Sequence, residues 1–217
     1  MRWKILSLVL FILLLSECGP EVKFKSPQPE GKPNLKQIPG SFIGSFESMN
    51  DSSVLQIDSS VIYVLWKPNE LIPIDSLTKD LKFRVQRDTS VILENEFTVD
   101  VKVTDDLSKA YVTAREKVFA VSDSQVVRKY KNYCFLNFRT KDGFWKVQIL
   151  RIKNKYLEFN DLVASKEIDA IEEFTHIVTI KDTTLNKNLE YQLNPTRKEL
   201  KRILRSRSFE KNYRKVE

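Results

Sequence analysis

The chain has 217 residues, with 36 Lys and Arg against 29 Asp and Glu for a formal charge of +7, one His and two Cys. One histidine excludes a His-built zinc cluster, and two cysteines exclude a disulfide framework of the small secreted kind. Roughly 175 residues remain once the amino-terminal segments are set aside, enough for one adequate core and therefore for one domain.

The amino terminus carries Arg2 and Lys4, then an apolar run from Ile5 to Leu15 broken only by Ser7, closed by Leu15-Ser16-Glu17-Cys18. These are the parts of a secretory signal, and residues 1–17 are assigned to one. At about 1.5 Å per residue the run reaches roughly 16 Å, against about 30 Å for a hydrocarbon core, so it is too short for an uncleaved spanning anchor. Leu15, Ser16 and Cys18 resemble the lipobox of bacterial lipoproteins, from which Glu17 departs. The resemblance implies cleavage before Cys18, acylation of its thiol with palmitate among the acyl chains, and residence on a membrane of the cell envelope, the outer membrane being the expected one. Conventional secretion, with Ser16 and Cys18 as the small residues of a looser cleavage site, is the alternative.

Residues 18–40 follow as a lipidated Cys and a tether. Gly19 to Gly40 holds prolines 20, 27, 29, 33 and 39 and three of the five glycines. Such a segment is expected to form neither helix nor ladder, and at about 3.1 Å per residue it would hold a domain up to roughly 60 Å from the bilayer.

From 41 to 160 the pattern is that of a mainly β domain, an antiparallel β-meander or barrel. Leu81, Phe83 and Val85 alternate with charged and polar neighbours, as do Phe97, Val99, Val101 and Val103. Further strands are expected at Val54–Ile57, Val61–Trp66, Val118–Val121, Tyr133–Phe138, Phe144–Ile152 and Tyr156–Phe159, with a hairpin turn at Lys141-Asp142-Gly143. Gly44-Ser45-Phe46 is similar to the Gly-x-aromatic opening of lipocalin-like barrels. That similarity implies a closed meander with Phe46 plugging one end and room inside for one small apolar ligand.

Residues 161–217 read as an α-β-β-α appendage. Ser165 is expected to cap a short helix bearing Ile168, Ile171 and Phe174; strands at His176–Lys181 and Leu189–Leu193 form a hairpin. Pro195 and the Thr196-x-x-Glu199 capping box then start a helix with Leu200, Ile203 and Leu204 on one face.

With Arg2, Lys4 and Glu17 removed with the signal, 34 basic and 28 acidic side chains remain, and residues 196–217, with nine basic and three acidic, account for the whole excess of +6. Arg205, Arg207, Lys211, Arg214 and Lys215 are the candidate contacts to an anionic lipid or glycolipid surface, each Lys or Arg contributing about 1 kcal/mol there. The bland alternative is a solvated helix face. Nucleic acid is not an expected partner, since no stacking or groove-reading module accompanies the charge; an envelope protein is.

No enzyme is expected. Cys134 lies in the apolar run Tyr133-Cys134-Phe135-Leu136 and reads as inert core, His176 as a strand-edge side chain, and Asp105-Asp106 and Glu172-Glu173 as a turn and a solvated helix face. Phosphate-binding glycine loops, nucleophile elbows and Walker patterns are absent from the sequence, and neither metal nor cofactor is assigned. The expectation is an exported, lipid-anchored binding or structural module; a lipocalin-like carrier and an envelope enzyme whose site is invisible in sequence are the alternatives.

Overall fold

The computed structural model describes residues 20–51, 53–66, 71–75, 89–92, 97–104, 108–182, 187–206 and 212–216. The chain is mainly β: fifteen strands among the described residues form one sheet, antiparallel except where β1 (Glu21–Phe24) runs parallel to β14 (Lys187–Leu193). The expectations at 81–86 and Asp105-Asp106 lie outside the described residues.

Two sequential runs carry the meander. In the first, β2 (Gly44–Ser48), β3 (Ser53–Ile57) and β4 (Val61–Trp66) pair in turn, and β4 pairs with β8 (Lys109–Ala120). The second joins β9 (Gln125–Tyr130), β10 (Tyr133–Arg139), β11 (Trp145–Lys153) and β12 (Tyr156–Asp161). Asp-Gly makes the β10–β11 turn as expected, with Gly143 at φ +88°, a left-handed value that costs glycine nothing. The β11–β12 turn has only two residues, Asn154 and Lys155, both at positive φ (51° and 68°), the geometry of a type I′ hairpin.

The runs are stitched by β15 (Asn212–Lys215), which lies between β12 and β2 and pairs antiparallel with both. The nine strands β9-β10-β11-β12-β15-β2-β3-β4-β8 then curl on themselves. Val127 of β9 and Phe119 of β8, at opposite ends of that run, share one core with Leu136, Leu150, Leu157, Tyr213, Phe46, Leu55 and Ile62. The interior is filled: Leu55, Ile57, Ile62, Leu136, Leu150 and Leu157 are fully buried, each contributing about 2 kcal/mol.

The opposite face of β10 and β11 is covered as well, which is why Tyr133-Cys134-Phe135-Leu136-Asn137 is buried without a break instead of alternating. Tyr133, Phe135, Val147 and Ile149 meet α1 (Ile168–Glu172) and α2 (Arg197–Ser206) there. The Thr196–Glu199 capping box forms: Thr196 N–H donates to Glu199 Oε2 at 2.7 Å and Glu199 N–H to Thr196 Oγ1 at 3.4 Å. Leu200, Ile203 and Leu204 are buried below it. Ser165 is not a cap. It opens a 3-10 turn over Ser165–Glu167 that leads into α1, and the Glu167 carboxylate reaches back to the Ala164 N–H at 2.8 Å. A separate small core of Val99, Val101 and Ala110 lies in the arm where β8 pairs with β7 (Phe97–Val103) and β5 (Ile72–Pro73), with β6 (Thr89–Ile92) beyond.

Two expectations fail. Residues 21–40 are no tether: β1 pairs with β14 and, at Phe24, with Trp145 of β11, and Phe24, Gln28 and Ile38 are buried. Period-two alternation in Glu-Val-Lys-Phe outweighs the proline-rich surroundings, and the remainder is held by side chains. Asn137 acts as a strand partner for Gln28, accepting its N–H at 2.6 Å and donating to its carbonyl at 3.0 Å. Arg128 Nη1 donates to the Pro27 and Pro29 carbonyls, which have no N–H of their own to pair with a strand. Leu35 N–H bonds Val127 and Ile38 N–H bonds Ser59, so this strap spans from β9 to the β3–β4 turn, with Ile38 and Phe42 inserted into the core. Residues 161–217 keep the expected α-β-β-α order, but they do not stand apart from the sheet. The hairpin of β13 (Ile177–Asp182) with β14 joins the sheet through β1, and β15 is internal to it.

Candidate functional site

One end of the curled run opens into a cleft of about 680 Å³ lined by Ser41, Phe46, Ile152, Lys155, Arg214, Lys215 and Val216. Three elements build it. Gly44 opens β2 at φ +144°, and a Cβ there would meet Lys215 Cε at 3.4 Å and the Phe46 ring at 3.7 Å. Lys215 stands opposite Phe46 in the ladder and, at period two, on the inner side with buried Tyr213. Arg214, the residue before Lys215, reaches the rim of the cleft and pairs there with exposed Glu47 at 3.1 Å. The end of β11 supplies Ile152, and the tight β11–β12 turn supplies Lys155. Among the described residues neither Lys155 nor Lys215 has a carboxylate partner within ion-pair distance. The wall is apolar at Phe46, Ile152 and Val216, and its rim is cationic.

Of the five basic residues expected to contact an anionic surface, Arg214 and Lys215 meet in this cleft. Arg205 is exposed in the last turn of α2 and does not line it; Arg207, Lys211 and Cys18 lie outside the described residues. The basic face of α2 is partly engaged in packing, with Arg197 5.7 Å from the Tyr130 ring centroid and Arg202 4.3 Å from that of Phe174. Ile152 and Lys155 were invisible as site residues in the sequence. The two-residue spacing between the apolar ends of β11 and β12 was the available signal.

Two other polar clusters are structural. Lys23, 8% exposed, sits 2.6 Å from Asp142, 2.5 Å from Glu190 and 3.4 Å from Glu21. Burial works against its charge, yet the hydrogen bonds to Asp142 and Glu190 outweigh it and hold the ammonium above the usual lysine range. Asp142 is pulled down to about 2, first by Lys23 and then by Thr140. The cluster clamps β1 to β14 and to the β10–β11 turn. On the helix-covered face, Arg151 pairs with Glu158 and donates to Tyr133 Oη at 2.9 Å; Tyr133 Oη in turn donates to the Leu204 carbonyl at 3.4 Å, joining three strands to the end of α2.

Cys134 is fully buried, and burial pushes its thiol up to about 12, the opposite of what a nucleophile needs. His176 is exposed just ahead of β13, and Glu172 and Glu173 are exposed at the end of α1. Among the described residues no three His, Cys, Asp or Glu side chains converge as metal ligands, and no helix is long and apolar enough to cross a membrane. No family model matches the chain, nor does any curated protein or solved structure.

Proposed function

We propose that the chain is an exported, lipid-anchored binding module of the cell envelope, held on the outer membrane through acylated Cys18. The reading rests on the basic amino terminus, the eleven-residue apolar run and Leu15-Ser16-Glu17-Cys18. Leu15-Ser16-Glu17-Cys18 carries the reading, and the start of β1 at Glu21, three residues after Cys18 and in a strand flanked on both sides by others, sets how near the anchor the fold begins. A chain extends at most about 3.6 Å per residue, so the acyl-bearing Cys and the sheet are within roughly 11 Å of each other. The domain then sits against the bilayer rather than far above it, and partners are reached at the membrane surface. Because the curled interior is packed with side chains, the cationic cleft at its mouth, rather than the interior, is the place for a ligand.

Incorporation of radiolabelled palmitate tests the anchor. Wild type takes up label and Cys18→Ala takes up none, accumulating as precursor or released protein; equal label in the two defeats the reading.

A further inference from the structure

We propose that the cleft at the mouth of the curled sheet binds a single-chain anionic amphiphile of the long-chain carboxylate class, its alkyl chain on Phe46, Ile152 and Val216 and its carboxylate between Lys155 and Lys215. The inference deepens the binding-module reading and rests on it, but is independent of the lipid anchor.

Charge complementarity identifies the head group. Lys155, Arg214 and Lys215 line one opening, and the nearby carboxylate of Glu47 is already taken by Arg214. Neither lysine is paired with a carboxylate among the described residues, so among these an incoming anion displaces no partner. The remaining wall identifies the tail. Phe46 is buried at 2% exposed, while partly exposed Ile152 and Val216, 46% exposed, leave apolar surface open. Large apolar groups left open beside cations suit a ligand with both characters, and about 680 Å³ falls within the roughly 300–1,000 Å³ of small-molecule sites. A bare inorganic anion would leave this apolar surface wet, and a neutral alkyl chain would desolvate the ammonium groups without compensation.

The test is an NMR titration of the full chain in dodecyl maltoside, a neutral amphiphile, with decanoate as probe and with decanol, acetate and inorganic phosphate as comparators. The expected result is saturable shifts of the Ser45, Phe46, Lys215 and Val216 amides with decanoate alone. Affinity should rise severalfold per pair of added methylenes from octanoate to laurate, and should fall roughly tenfold in Lys155→Gln/Lys215→Gln. Absence of local shifts overturns the proposal, as do equal responses to decanol, equal responses to acetate or phosphate, or an undiminished affinity in the double variant. Should that variant not fold, the salt dependence of decanoate binding to wild type decides: weakening with salt supports the ionic contact, and indifference to salt overturns it. Palmitate labelling is untouched by these outcomes, so failure of the ligand and failure of the anchor are told apart.

Discussion

The strap over residues 21–42 and the strand β15 both complete the sheet, and they are held by different forces. β15 is held by a ladder, with Tyr213 opposite Leu157 on one side and Ser48 on the other. The strap has four residues in β1, and beyond them it depends on Asn137, Arg128 and the burial of Ile38 and Phe42. A ladder uses backbone groups that every residue except proline possesses, so most of β15 is chemically replaceable. A strap anchored by side chains depends on particular residues, and single substitutions in a different part of the chain should release it.

The largest single-residue effect is expected in β15 at its one buried side chain: Tyr213→Ala should cost about 3 kcal/mol in urea unfolding, whereas Arg214→Gln, exposed and paired only with exposed Glu47, should stay within about 0.5 kcal/mol. A cost at Arg214 as large as that at Tyr213 would show that exposed side chains, and not the ladder with its one buried ring, hold the strand. In the strap, Asn137→Ala should cost about 2 kcal/mol, because it strips the buried Gln28 N–H and carbonyl of their partner. Protection of the Gln28 amide from hydrogen exchange should fall with it. A stable variant with Gln28 still protected would mean that the proline-rich segment is held otherwise.

Lys23→Met should cost somewhat less, on the order of 1–2 kcal/mol, since the partly exposed Asp142 regains water while Glu190 does not. The pH dependence of the same clamp has a definite sign. The folded value of Asp142, about 2 against an ordinary 3.8, means that its contribution is present at neutral pH and is lost as the pH falls from about 4 through 2. Lys23, raised instead, contributes fully below the unfolded lysine value near 10.4 and loses that contribution only as the pH climbs through its folded value. Asp142→Asn should therefore lower stability at neutral pH, leave it little changed below about pH 2, and so flatten the acid limb of the stability curve. A steepened acid limb would contradict the clamp. The smallest effect is expected at Cys134: the native protein should resist alkylation by iodoacetamide at pH 8, and rapid labelling without denaturant would mean that the β10 core opens.

Much of the architecture was legible in the residues. Val61–Trp66 and Phe97–Val103 form strands with the expected bounds, because β-branched and aromatic residues crowd there with nothing to compete. The capping box and apolar stripe of α2 behaved as local chemistry predicts. The first nine residues of β8, Lys109 to Lys117, and all of β9 were missed because polar and charged residues dominate them and their stability comes from neighbours distant in sequence. β15 carries a single buried apolar residue, which no periodicity can reveal. The strap misled for a related reason. Prolines were read as breaking structure, while the groups that organise them, Arg128 and Asn137, lie about a hundred residues away. At the cleft, Arg214 and Lys215 were noticed for their charge, but their meeting with Lys155, Phe46 and Ile152 depends on β15 entering the sheet beside β2.

The central structural claim is that residues 21–40 belong to the fold and do not form a tether. Thermal unfolding of a chain lacking residues 21–40, with Pro20 joined to Ser41, tests it most directly. The account predicts loss of the cooperative transition and exposure of apolar surface to a fluorescent dye, because β1, the Gln28–Asn137 contact and Ile38 are all removed. A transition as sharp and as high as that of the intact chain would contradict it and restore a long, unstructured tether.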